Sequence, residues 1–199
     1  MKKEDDVRET PHDKFAAINS VIPGGFTLDV CATHENAKCK RYYTEHDGLC
    51  EKLDAKGSYE VFSDQVPPET GNGLTGSWAG ERCWCNPPYS DINSWVRKAW
   101  VSAEAELVVM LVPSTRTEQR WWQDLIEPYR DGNDLRRGVF GCPGLSVDRN
   151  WRLAVKFQAD RWNFLKDGKP ILCEKVGSKQ FGKPSSPKFG VCLLIWHHV

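Results

Sequence analysis

Three stretches of the chain have the pattern of buried strands. Residues 107–112 (LVVMLV) are apolar at every position, as expected of a strand covered on both faces in a parallel sheet. Residues 26–32 (FTLDVCA) follow Pro23-Gly24-Gly25 and mix β-branched with apolar side chains, which predicts a buried strand ending near Asp29. Residues 82–85 (RCWC) predict a third strand that runs directly into Asn86-Pro87-Pro88-Tyr89. Ile92, Trp95, Val96, Ala99 and Trp100 recur at helical spacing within 92–105, and residues 118–129 read as another helix beyond Pro113. Residues 40–44 (KRYYT) suggest a short strand with a turn-like exit at 46–49. Residues 161–165 and 189–196 suggest closing strands around the basic segment 166–188. The order of strand, turn, strand, helix, strand, helix argues for an α/β fold with a mostly parallel central sheet. Residues 51–80 carry Gly57, Pro67, Pro68, Gly71, Gly73 and Gly76 with little periodicity, which reads as a long excursion.

Composition narrows the class. With 199 residues and 40% hydrophobic content, the chain suits a single domain spanning 1–199. Its apolar runs are far shorter than the ~20 residues of a membrane span, and Met1-Lys2-Lys3-Glu4-Asp5-Asp6 is not followed by a secretory apolar stretch. A soluble protein of the cytoplasm is expected. The 27 basic and 27 acidic residues cancel, yet 136–199 holds twelve basic side chains against four acidic ones. Such segregation suits a polyanion, and a solvated lysine-rich surface explains it equally well. Eight cysteines include no C-x₂-C pair, so buried reduced thiols are expected rather than a metal site. Nine tryptophans read mainly as core, although Trp151 between Arg149 and Arg152 is also a candidate for stacking on or wedging beside a nucleic acid.

Asn86-Pro87-Pro88-Tyr89 carries the chemistry. It lies at the carboxyl end of a predicted strand, where open α/β sheets place ligands. Two prolines make the loop stiff and rich in carbonyl acceptors; the Asn86 side chain adds another acceptor, and Tyr89 a flat aromatic face. This set suits a planar group bearing an amine. An exocyclic amine of a nucleobase is a poor nucleophile, because its lone pair is delocalised into the ring. If the Asn86 side-chain oxygen and the Pro87 carbonyl accept both N–H hydrogens, the nitrogen is drawn toward tetrahedral geometry while Tyr89 stacks on the ring. Acceptors preorganised toward charge that develops in the transition state provide the catalysis. The competing reading is that Asn-Pro-Pro-Tyr is only a rigid turn.

The ordered features of the chain resemble the phage-type Dam family of DNA adenine-N6 methyltransferases. They are Thr10-Pro11 with Phe15, the segment 26–32, Asn36-Ala37-Lys38-Cys39, Tyr42-Tyr43-Thr44, Asp47-Gly48-Leu49, Trp78-Ala79-Gly80, residues 84–90 (WCNPPYS), Trp95-Val96-Arg97-Lys98-Ala99 and residues 108–117 (VVMLVPSTRT). The resemblance implies a Rossmann-like class I fold with a C-terminal antiparallel strand, using S-adenosylmethionine as methyl donor and double-stranded DNA as substrate. No metal is expected, and no obligate protein partner is inferred. The resemblance places Asn86, Pro87, Pro88 and Tyr89 in catalysis, and Thr10, Pro11, Asp29, Cys31, Ala32, Asp47 and Asn86 around the donor. Of these, Asp29 and Ala32 face the donor's amino acid portion and Asp47 its adenosine; strand-end and turn capping are the plain alternatives for the two aspartates. The basic region 136–188 is expected to contact DNA, with Arg149, Arg152, Lys183 and Lys188 as candidates. Two departures stand out: Cys31-Ala32-Thr33-His34 replaces the usual glycine-rich turn, and the excursion at 51–77 reads as an inserted loop, either a lid or a DNA-contacting arm. Methylation of cytosine N4 or of a protein glutamine is the nearest enzymatic alternative. A DNA-binding protein without catalysis is the alternative of a different class.

Overall fold

The computed structural model describes residues 8–54, 58–61, 72–130 and 150–199. Along the chain, α1 (His12–Ser20) is followed by β1 (Leu28–Asp29), β2 (Arg41–Thr44), β3 (Gly48–Lys52), β4 (Tyr59–Val61) and β5 (Arg82–Cys85). Then come α2 (Ile92–Val101), β6 (Leu107–Pro113), α3 (Arg120–Leu125), β7 (Trp151–Phe157), β8 (Leu165–Lys166), β9 (Lys169–Pro170) and β10 (Val191–His198). Eight strands form one sheet in the order β4-β3-β2-β1-β5-β6-β10-β7, and β8 and β9 form a separate small ribbon.

The parallel pairing is confined to the centre, β2-β1-β5-β6. The antiparallel pairs β2-β3 and β3-β4 extend one side, and β6-β10 and β10-β7 the other. Followed pair by pair, six of the eight strands run in one direction and only β3 and β10 are reversed. The fold is therefore α/β with a mixed sheet. The expected antiparallel C-terminal strand is present as β10, while a largely parallel sheet describes only the middle.

Strand alternation sorts the core into two layers. Cys83, Cys85, Val108, Met110, Val112, Leu194 and Trp196 face α2 and α3, against Trp95, Val96, Trp100, Trp122 and Leu125. Trp84, Val109, Leu111, Val191 and Leu193 face the other way, against Trp162 and Phe164, with Phe15, Ile18 and Phe26 packed around them. The predicted double-faced strand is borne out, since β6 is buried from Val108 to Pro113. The Cys83 and Cys85 thiols are buried and reduced, flanking Trp84 as expected. Among the described residues no helix is long and apolar enough to cross a membrane.

Three sequence expectations need correction. The closing pair is β10 with β7, not with residues 161–165, of which only Leu165 belongs to a strand, the short β8. Residues 51–80 are not wholly irregular, because Glu51 and Lys52 complete β3 and Tyr59–Val61 forms β4 at the sheet's edge. Trp151 is not an exposed wedge: it is 0% exposed, and its Nε1 donates to the Ala99 carbonyl at 3.0 Å. Trp151→Ala should therefore cost ~3–5 kcal/mol of stability, as for other large core truncations, measured by urea denaturation. A loss below ~1 kcal/mol would contradict the packing described here.

Candidate active site

β2, β1 and β5 are adjacent and parallel, so their carboxyl ends, Thr44, Asp29 and Cys85, open at one edge of the sheet. A cavity of about 660 Å³ lies there. Its wall takes residues 29–34 after β1, residues 44–47 after β2, Asn86 and Pro88 after β5, and the strap Arg8-Glu9-Thr10. It is completed by Asn72-Gly73-Leu74, a segment that requires glycine: a Cβ on Gly73 would stand 1.8 Å from the Val30 carbonyl oxygen. Trp78, fully buried, fixes this segment by donating its Nε1 hydrogen to the Gly73 carbonyl at 2.8 Å.

Asn86 sits where the apolar strand gives way to the polar edge. Its Nδ2 donates to the Arg8 carbonyl at 2.7 Å. A carbonyl can only accept, so this contact fixes the orientation of the amide. The opposite atom, Oδ1, is then the acceptor left over, buried and without a hydrogen-bond partner among the described residues. Pro87 and Tyr89 are buried next to it, but only Asn86 and Pro88 of the tetrapeptide reach the cavity wall. The Tyr89 ring packs edge-on against Phe189 with centroids 5.8 Å apart.

Asp29 is 3% exposed. Its Oδ2 accepts the Lys38 backbone N–H at 2.9 Å and its Oδ1 that of Cys31 at 3.3 Å. Burial outweighs these bonds and raises its pKa from 3.8 to about 6. Across the cavity, Asp47 Oδ2 lies 3.0 Å from His34 Nε2, and His34 Nδ1 lies 2.9 Å from the Tyr42 hydroxyl. The His34 ring stacks on Tyr59 at 3.6 Å, so the β4 strand supports this side of the site. Asp47 also caps its own turn, donating its backbone N–H to Thr44 Oγ1 at 2.9 Å.

Cys31, Ala32 and Thr10 line the cavity. Thr10 is almost fully buried and its Oγ1 has no partner among the described residues. Pro11 lies outside the wall and instead starts α1, accepting the Phe15 N–H at 3.0 Å. Of the DNA candidates, Arg149 lies outside the described residues, and Arg152 is half-buried on β7 opposite His197. Lys183 and Lys188 are exposed, and none of the described three lines the cavity. Sequence reasoning missed His34, Lys38 and Gly73; for Gly73, the glycine spacing of the excursion was the available signal. Among the described residues no cluster of three or more His, Cys, Asp or Glu side chains is placed to hold a metal ion.

The raised Asp29 pKa gives a stability test. Ionisation is penalised only in the folded state, so the penalty is absent below pH 3.8 and complete above pH about 6. Its full size is on the order of 3 kcal/mol. Asp29→Asn removes it, so the stability of the variant relative to the parent should rise from pH 4 to 6 and then level off. Thermal melts across that range check this, and a flat difference would mean that Asp29 ionises normally.

Comparison with known proteins supplies the family. The model of the DNA N-6-adenine-methyltransferase (Dam) family matches residues 1–68 and 60–130. A protein of Haemophilus phage HP1 (strain HP1c1), named DNA N-6-adenine-methyltransferase, is 31% identical over 98 residues. That match covers 49% of this chain and 43% of the phage protein. The matched segments contain the strand ends, the strap and the Asn86 loop that build the cavity, and this chain belongs to the DNA N-6-adenine-methyltransferase (Dam) family.

Proposed function

We propose that this chain transfers a methyl group from S-adenosylmethionine to the N6 amine of adenine in double-stranded DNA, in the cytoplasm. The observation that carries the reading is Asn86 in the cavity wall, its buried Oδ1 without a partner among the described residues and oriented by the bond from Nδ2 to the Arg8 carbonyl. Family membership and the phage relative's name support the choice of substrate. A Rossmann-like methyltransferase fold is part of the proposal. It is supported by the parallel centre β2-β1-β5-β6 and by the reversed β10 inserted between β6 and β7.

The residues present suit the donor. Asp29, at the end of β1, faces its amino acid portion; Asp47, with His34, faces its adenosine; Thr10 offers an uncommitted hydroxyl, while Cys31 and Ala32 line the wall. When bound, the donor supplies an electrophilic methyl carbon on a sulfonium. The remaining work belongs to the chain. Asn86 Oδ1 and the Pro87 carbonyl, which must come forward from behind the cavity wall to serve, accept the two amine hydrogens, which frees the nitrogen lone pair from the ring. Because Oδ1 is held by a second bond within the same amide, it needs no reorganisation as positive charge develops on the nitrogen. Tyr89 is the proposed stacking face, and its ring must turn from Phe189 toward the base to serve. The adenine leaves the duplex to reach the cavity, at a cost of ~a few kcal/mol. Lys183, Lys188, Arg152 and Arg149 hold phosphates and set the register of the duplex.

Asn86→Ala should lower methyl transfer at least ~100-fold, as for loss of an oxyanion-type partner, while calorimetry still detects donor binding. Near-normal turnover would remove the acceptor role. Mass analysis of nucleosides from DNA treated with the parent enzyme should show N6-methyldeoxyadenosine, whereas N4-methyldeoxycytidine or methylated protein would overturn the substrate assignment. Lys183→Ala and Lys188→Ala should each reduce the slope of log affinity against log salt by about 0.9, measured by fluorescence anisotropy on a duplex. Unchanged slopes would exclude these lysines from the interface.

A further inference from the structure

Lys38 is a cation to which the described residues give no hydrogen-bond partner. It lines the cavity, and its Nζ is buried. The residues on either side, Ala37 and Cys39, are buried and anchor the segment, and the Lys38 backbone N–H is bonded to Asp29 Oδ2 at 2.9 Å. The Lys38 backbone is thus tethered to the Asp29 carboxylate, whose charge reaches the ammonium.

The nearby anions Glu9 and Asp29 attract it, but among the described residues neither makes a hydrogen bond or ion pair with it. The Glu9 carboxylate is held by the backbone N–H groups of Asp167 and Gly168, at 2.9 and 3.2 Å. Asp29 uses its two oxygens on the Lys38 and Cys31 amides. Lys52, the other ammonium near Asp29, donates instead to the Ala37 carbonyl at 2.6 Å. Burial holds the Lys38 pKa below its ordinary value, and the Glu9 and Asp29 charges offset this only in part. Burying such a group without a partner is costly, and a bound anion repays the cost.

We propose that the Lys38 ammonium binds the α-carboxylate of the methyl donor, while the neighbouring Asp29 carboxylate faces its α-ammonium. The two side chains offer a cation and an anion from one short segment, complementary to the two opposite charges of an α-amino acid. Lys38 therefore selects donors that retain the amino acid carboxylate. This deepens the methyl-donor reading above and rests on it.

Isothermal titration calorimetry of the full chain tests this with two probes, S-adenosylmethionine and its decarboxylated analogue, in the absence of DNA. The parent protein should prefer the carboxylate form at least ~10-fold, the range of one charge-assisted hydrogen bond. Lys38→Met should abolish that preference by weakening the carboxylate form, leaving the analogue bound as well as before or better. Lys38→Gln, which keeps a polar end in the wall, carries the same expectation, and Lys38→Arg should retain the preference. A variant that keeps the parent's ratio, or that weakens both probes equally, overturns the role of Lys38 while leaving the donor site in place. A parent protein that binds neither probe overturns the donor reading together with this one.

Discussion

Two strands of the sheet centre, Arg82–Cys85 and Leu107–Pro113, are enclosed between apolar layers on both faces. A strand so placed can offer polar groups only beyond its ends. This constraint sends Asn86 out of the core at the carboxyl edge, beside the ends of β1 and β2. The cavity, the strap across it and the buried carboxylate of Asp29 follow from that position. So does the protection of Asn86: a residue at the boundary between core and cavity can keep one amide atom bonded and leave the other dry and unused.

Several residues of this wall carry a buried polar atom without a hydrogen-bond partner among the described residues: Thr10 Oγ1, Lys38 Nζ and Asn86 Oδ1. Folded proteins pair such atoms almost everywhere, because each orphan costs free energy. Their concentration in one cavity is evidence of a ligand that completes them. They differ in kind, since one is a hydroxyl, one a cation and one an acceptor, so a partner that completes them carries an anionic group and a hydrogen-bond donor. A methyl donor together with an aminated base satisfies that description.

Much of the central fold was legible because its signals are local. The apolar run of β6, the helical spacing of Ile92, Trp95, Val96, Ala99 and Trp100, and the strand leading into Asn86 all appear where the pattern places them. What escaped was set by distant partners. β7 alternates weakly and forms by pairing with β10, whose register joins Leu194 to Val155 and Trp196 to Leu153. α1 buries no residue deeply, so it leaves no apolar stripe to read. β3 and β4 extend an edge through Glu51, Lys52 and Glu60, side chains that do not announce a strand. The site divides in the same way. Asn86 and Asp29 were visible at strand ends, whereas the isolation of the Lys38 ammonium and the packing of Tyr89 on Phe189 exist only in the folded chain.

The central claim is that the Asn86 amide is an acceptor held ready for an amine. It is tested most directly by a crystal structure of the protein with a non-reactive donor analogue and a duplex containing a target adenine. The account predicts an extrahelical adenine with its N6 at about 3 Å from Asn86 Oδ1, hydrogen-bond distance, and Nδ2 still donating to the Arg8 carbonyl. An adenine seated elsewhere, or an Asn86 amide turned to present Nδ2 to the base, would contradict it.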